Sequence, residues 1–193
     1  GASILDMACG KGRHARQLAD KGFNVTGLDL SASSIKEAKK FENDHLHFYQ
    51  HDMRQPFQSN CYDYCFNFFT SFGYFESRKE HYDAMKTMTD ALKKNGMLVI
   101  DYLNVHYAED HLQPQNDIKL DDTHFQVTKW MDQKFFYKKI EITSKKLPAP
   151  QIFAEKVRKF SLEDFTDMLS LQNMQIQQVF GDREIQLRRD RYG

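Results

Sequence analysis

The sequence predicts an α/β fold built on a doubly wound, mostly parallel sheet, and three observations carry the prediction. Between residues 1 and 103, short apolar runs alternate strictly with amphipathic stretches. That order of strand, helix, strand implies right-handed crossovers onto a parallel sheet. The run YDYCFNFF (62–69) is apolar nearly throughout, as a strand covered on both faces should be. At 4–15 the chain reads ILDMACGKGRHA, an apolar run closed by an acid, then two glycines, then the start of a helix.

Taken in order, SILDM (3–7) is a short buried strand. Ala15, Leu18 and Ala19 share one helical face, and Gly22 suits a left-handed helix end. FNVTGLDL (23–30) is the second strand. The Ser34–Glu37 spacing reads as a capping box for a helix with Ile35, Ala38 and Phe41 inward. LHFYQHDM (46–53) is the third strand, 54–61 a poor crossover helix or a plain loop, and 62–69 the fourth strand. Ser77 and Glu80 form a second capping box, for a helix that turns Tyr82, Met85, Met88 and Leu92 inward and stops at Asn95-Gly96. MLVIDYL (97–103) is the fifth strand.

The pattern then changes. HFQVTKWMD (124–132) and KFFYKKIEIT (134–143) predict an antiparallel hairpin, with IFAEKVRKF (152–160) as a third strand. Ser161 to Asp164 starts a helix with Phe165, Met168 and Leu169 on one face. MQIQQVFG (174–181) predicts a sixth strand and EIQLRR (184–189) a seventh, antiparallel to it because no crossover fits between them. One domain is expected over 1–193, with a core formed by 1–103 and 161–193 and a β insertion at about 104–160 that acts as a lid or a dimerisation surface.

Composition bounds the function. The chain has 193 residues, 27 Lys plus Arg and 27 Asp plus Glu, for a formal net charge of zero. A broad nucleic-acid footprint needs a basic excess, so a nucleic-acid partner is not expected. The 3 cysteines form no C-x-x-C pair, which suits a reducing, cytoplasmic setting. No run approaches membrane-spanning length. The chain opens almost directly on its first strand, so a preceding segment is expected. With 16 Phe and 9 Tyr, aromatic side chains suffice to line a pocket as well as a core.

The glycine turn has two readings. GKGRHA fits G-x-G-x-x-A, and Asp29 lies near where dinucleotide-binding proteins place their ribose acid. A nicotinamide-dependent oxidoreductase is therefore one reading. Against it, the Asp6 carboxylate at the strand end repels a pyrophosphate and favours a ligand with a cationic ammonium or sulfonium. Gly10 and Gly12 let a ligand approach bare backbone.

At these residues the chain resembles class I S-adenosylmethionine-dependent methyltransferases, in particular small bacterial ones with a β-strand insertion after the fifth strand. LDMACGKGRHA resembles the family's first motif, with Ala8 in place of a glycine, and VTGLDLS the second. YQHDM resembles the third, YDYCFNFFTSFGYF the fourth, and LKKNGMLVIDYLN the strand that follows. The resemblance implies a Rossmann-like seven-stranded sheet with an antiparallel last strand. It implies S-adenosylmethionine as cofactor, S-adenosylhomocysteine as product, and a methyl acceptor, which neutral charge and aromatic lining make a small molecule. It also implies that Asp29 binds the ribose hydroxyls, that Asp52 accepts from the adenine amino group and that Met53 packs on the ring. Asp6, Ala8, Gly10, Gly12, Arg13, Leu30, Asn67 and Phe68 complete the expected cofactor site. Tyr74, Tyr102 and His106 lie near strand ends and are candidate bases. No metal is expected, because the fourth strand is not followed by the acid that a magnesium site requires. A non-catalytic cofactor-binding module is the remaining reading, and a homodimer is possible.

Overall fold

The computed structural model describes residues 1–68 and 71–181. Five strands form the parallel sheet: β1 (Ser3–Met7), β2 (Asn24–Asp29), β3 (Leu46–Gln50), β4 (Tyr62–Asn67) and β5 (Leu92–Ile100), in the order β3-β2-β1-β4-β5. The chain order reverses between β1 and β4, and the crevice at such a switch point is where open α/β sheets place ligands.

Successive residues point to opposite faces, so the central strands β1 and β2 feed two cores. Ile4, Val25, Leu46 and Phe48 pack against Ala15 of α1 (Arg13–Ala19) and Ile35 and Ala38 of α2 (Ala32–Ala38). Leu5, Met7, Leu28 and Cys65 pack against Ala84, Met85, Met88 and Ala91 of α3 (Arg78–Ala91), joined by Met168 of α5 (Leu162–Ser170). Burying such side chains stabilises the fold by about 1.5–3 kcal/mol each for the larger ones. Gly27 in the middle of β2 is required by close approach, since a Cβ there would lie 2.5 Å from Phe48 Cδ1 and 2.9 Å from Cys9 Sγ.

The expected α/β fold is borne out, with differences that have physical causes. Helix α2 begins three residues early, because the Ser31 Oγ accepts from the Ser34 N–H and the Asp29 carboxylate fixes the turn before it. Strand β4 is not covered on both faces: α1 and α2 shield only β1 to β3, leaving Tyr64, Met97 and Val99 exposed. The sheet has five strands among the described residues, not seven. Residues 174–180 are not in a strand. Their expected partner at 184–189 lies outside the described residues, as does Phe69.

The insertion is larger than expected. After α4 (Val105–Asp110), β6 (Gln115–Leu120), β7 (Thr123–Met131), β8 (Phe135–Ser144) and β9 (Gln151–Arg158) form a four-stranded antiparallel sheet in that order. Register places Ile118, Phe125, Ile142, Val127, Ile140 and Phe153 on one face. At the β9 edge the sheet is fastened to the segment after β4. The Arg158 N–H donates to the Gly73 carbonyl at 2.8 Å, Lys156 pairs with Glu76 at 3.0 Å, and the Tyr102 hydroxyl donates to the Arg158 carbonyl. No helix among the described residues is long and apolar enough to cross a membrane.

Candidate functional site

The carboxyl ends of β1, β2 and β4 meet around the turn from Met7 to Gly12. Ala8, Gly10 and Gly12 have φ of 62°, 57° and 76°. Glycine adopts this left-handed region freely, whereas Ala8 holds it at a cost of about 1–2 kcal/mol. Gly12 also lacks room for a side chain: a Cβ would stand 2.5 Å from Phe48 Cζ. Gly12 is thus required by packing on Phe48, while the space beside Gly10 is open.

Asp29 braces this turn from the end of β2. One carboxylate oxygen accepts from the Gly10 N–H and the other from the Ser31 N–H, both at 2.8 Å. Each oxygen retains a further lone pair, so the carboxylate is fixed in place and still able to accept from a ligand. Leu30, next in the chain, is 62% exposed and presents an apolar surface beside it.

Asp6 is placed differently from the sequence expectation. It is 1% exposed, at the end of β1 beneath the first turn of α1. Burial pushes its carboxyl up to about 7, opposed by the Ala15 backbone N–H and reinforced by the negative charge of Asp29. Its Oδ2 has no hydrogen-bond partner among the described residues. The repulsion of a pyrophosphate by Asp6 is therefore weaker than a full charge would give. Asn67 at the end of β4 is fully buried as well. Its Nδ2 donates to the Met7 carbonyl at 3.0 Å while its Oδ1 has no hydrogen-bond partner among the described residues. Two buried acceptors left unmet on neighbouring strands each cost about 1–3 kcal/mol. A ligand that donates N–H groups there relieves both.

Beside β2, the His51 N–H donates to the Asp29 carbonyl, which brings Asp52 and the buried Met53 next to Asp29. Asp52 is gripped by Arg54, with Nη2 to Oδ2 at 2.6 Å and Nε to Oδ1 at 3.0 Å, and Arg54 Nη1 reaches Glu80 of α3 at 2.5 Å. The Arg54 guanidinium holds the Asp52 carboxyl below the usual carboxylate range. Sequence reading missed Arg54, since an arginine in a polar loop carries no pattern of its own. Phe68 stacks on Phe66 at 5.2 Å and meets the His14 ring at 4.6 Å. Arg13 is exposed and donates to His14 at 3.1 Å. Cys9 is a half-buried thiol that burial and the nearby carboxylates push up, a small hydrophobe and not a nucleophile.

The three candidate bases are scattered. Tyr102 is a correction: its hydroxyl is committed to the Arg158 carbonyl, its ring packs on Phe72, Phe160 and Phe165, and burial pushes it up, so it anchors the insertion. Tyr74 is 41% exposed beside β9, and His106 is exposed on α4. Among the described residues no group of three or more His, Cys, Asp or Glu side chains converges as a metal set would.

Comparison with known proteins bears on the parallel half first. Residues 4–96 match the family described as methyltransferase domain. Over 104 residues the chain is 34% identical to the putative methyltransferase YqeM of Bacillus subtilis (strain 168), covering 51% of this chain and 41% of that protein. Over 100 residues it is 31% identical to a dTDP-3-amino-3,6-dideoxy-alpha-D-glucopyranose N,N-dimethyltransferase of Streptomyces fradiae, covering 52% and 39%. The chain thus spans about two fifths of the length of these relatives. The fold extends further than the sequence match. An S-adenosylmethionine-dependent methyltransferase from Clostridium acetobutylicum ATCC 824 superposes with a TM-score of 0.73 at 21% identity, over 88% of this chain and 72% of that one.

Proposed function

With residues 4–96 forming a methyltransferase domain of class I fold, we propose that the chain transfers a methyl group from S-adenosylmethionine to a small-molecule acceptor. One observation carries the reading. The braced carboxylate of Asp29 lies at the same sheet edge as the unmet acceptors Asp6 Oδ2 and Asn67 Oδ1, around a turn of bare backbone. A ligand with ribose hydroxyls, an ammonium group and no phosphate suits that set of acceptors. A pyrophosphate, which only accepts, leaves Asp6 and Asn67 unmet.

Bound S-adenosylmethionine supplies a methyl group already activated on a sulfonium. The residues then have to bind, align and exclude water. Asp29 accepts from the ribose hydroxyls on its free lone pairs. Asp6 and Asn67 would face the amino-acid end, where a nearby ammonium would favour the ionised Asp6 carboxylate, its proton passing to solvent, and Arg13 would offer a cation to the cofactor's carboxylate. Gly10 and Gly12 admit the chain of the cofactor, with Phe68 along the wall. Asp52 accepts from the adenine amino group, with Leu30 and Met53 on the ring. S-adenosylhomocysteine leaves as product.

The insertion at about 104–160 closes over the acceptor, standing on the segment after β4 that carries Tyr74. Tyr74 and His106 remain the candidates to take a proton from the acceptor. The exposed Ile118, Leu120 and Phe153 on one sheet face support a homodimer through that face. The amino-sugar methyltransferase of Streptomyces fradiae supports a small-molecule acceptor. Three free cysteines support a reducing, cytoplasmic setting.

Calorimetry is the test. S-adenosylmethionine and S-adenosylhomocysteine are expected to bind in the micromolar range, about −7 to −9 kcal/mol, and NADPH not to bind. The reverse result assigns the chain to oxidoreductases. Binding without turnover on a panel of amines, hydroxyl compounds and thiols assigns it to a non-catalytic module.

A further inference from the structure

We infer that Arg54 is a positioning residue for the adenine end of the cofactor, fixing the Asp52 carboxylate without touching the ligand. The inference rests on the reading that Asp52 accepts from the adenine amino group. Arg54 makes three contacts to the two oxygens of Asp52 through its side chain, at 2.6, 3.0 and 3.1 Å, and a fourth through its backbone N–H at 3.0 Å. The guanidinium is itself held on two other sides. Nη1 donates to Glu80 Oε1 at 2.5 Å, and the guanidinium carbon lies 5.2 Å from the centre of the Phe75 ring.

Glu80 is equally determined. Its other oxygen accepts from the Ser77 N–H at 2.8 Å and the Ser77 hydroxyl at 2.9 Å, closing the capping box of α3. The orientation of Asp52 is thus set by the start of α3, a helix locked into the core by Met85 and Met88. A carboxylate on a loop otherwise samples several rotamers, and a ligand has to order it. Fixing it beforehand spares that ordering. Three N–H groups of Arg54 (backbone, Nε shared between both oxygens, and Nη2) hold the carboxylate and leave about one of its roughly four acceptor sites for a further donor.

The test uses S-adenosylhomocysteine and its analogue with hydrogen in place of the 6-amino group, titrated into the full chain. Arg54→Gln is expected to weaken S-adenosylhomocysteine binding about fivefold to tenfold and to leave the analogue within about twofold, because only the amino group meets Asp52. In the Asp52→Asn background, Arg54→Gln is expected to add nothing. Arg54→Lys, which keeps the charge without the fork, recovers only part of the loss and serves if the glutamine variant fails to fold. The charged and titratable groups around Asp52 are Arg54, Glu80 behind it and His51. Removing the guanidinium lets Asp52 take a proton at higher pH, so the acid limb of binding moves upward in Arg54→Gln. Equal weakening of both ligands, an effect additive with Asp52→Asn, or an unmoved acid limb reduces Arg54 to a fold contact and overturns the inference. An Asp52→Ala variant that binds as the parent overturns the adenine placement itself, and is distinguishable because it does not involve Arg54.

Discussion

The two sheets of this protein are built on opposite terms. Leu5, Leu28, Phe48 and Cys65 of the parallel sheet are fully buried, and its strand ends deliver polar atoms held by backbone: Asp29 between two N–H groups, Asn67 on the Met7 carbonyl. The antiparallel sheet buries residues only at its foot, Phe136 and Val157, and turns Ile118, Leu120 and Phe153 outward. Strands packed between helices cannot shift, so they hold a cofactor in fixed geometry. A sheet fastened along one edge keeps its far half available for an acceptor or a second copy.

The sharpest way to break this contrast is Gly12→Val. It combines a left-handed φ with a clash against a fully buried ring. The expected cost is about 3–5 kcal/mol of stability from the two effects together, with cofactor binding lost. Denaturant unfolding and calorimetry measure both, and a variant that folds and binds normally refutes the rigid turn.

Asp6 comes next. Its folded carboxyl stands at about 7 against 3.8 for the free group. The folded state therefore holds the proton more tightly, and burying the charge penalises folding. That penalty is absent below about pH 4, grows as pH rises, and is fully present above about 7, reaching about 4 kcal/mol at most. Stability without cofactor should fall over that window, and Asp6→Asn should flatten it. Binding of S-adenosylhomocysteine near pH 6.5 should release protons, seen in calorimetry as a dependence on buffer ionisation heat. Buffer-independent heats place the ammonium elsewhere.

Asp29→Ala is expected to weaken cofactor binding about a hundredfold, roughly 2.7 kcal/mol, through lost hydroxyl bonds and a loosened Gly10 N–H. The loss from Asp52→Ala should be smaller. Equal losses, or the reverse order, show that the ribose lies elsewhere.

Tyr102→Phe tests the joint between the sheets. An anchor loses about 1–2 kcal/mol of stability with modest change in turnover, whereas a base loses turnover by orders of magnitude at unchanged stability. The smallest effect is expected at the outer face, where Phe153→Ser should alter stability by less than about 1 kcal/mol yet shift the elution volume if that face pairs two copies. An unchanged mass leaves the lid as the insertion's role.

The sequence by itself determined the order of strands and helices in the parallel half, the glycine turn and the place of Asp29, but not the end of α3, which it sets at Asn95-Gly96 and which gives way to β5 at Leu92. Those features follow from local rules: period 2 against 3.6, left-handed glycines, and the capping box at Ser77, which is present, whereas the one expected at Ser34 gives way to a cap at Ser31. Only the tertiary structure decided the rest. Gln115–Leu120 is a polar stretch that becomes a strand because β7 offers it a ladder, while the alternating 174–180 stays outside one. Asp6 reads as an open acid from its position in the chain, and the packing of α1 over it makes it a buried one. Tyr102 sits at the expected strand end, but its hydroxyl is fixed by a carbonyl 56 residues away. Arg54 matters only because α3 brings Glu80 to it across 26 residues. Side chains whose partners are distant in sequence leave no period to read, since their roles come from three-dimensional contact alone.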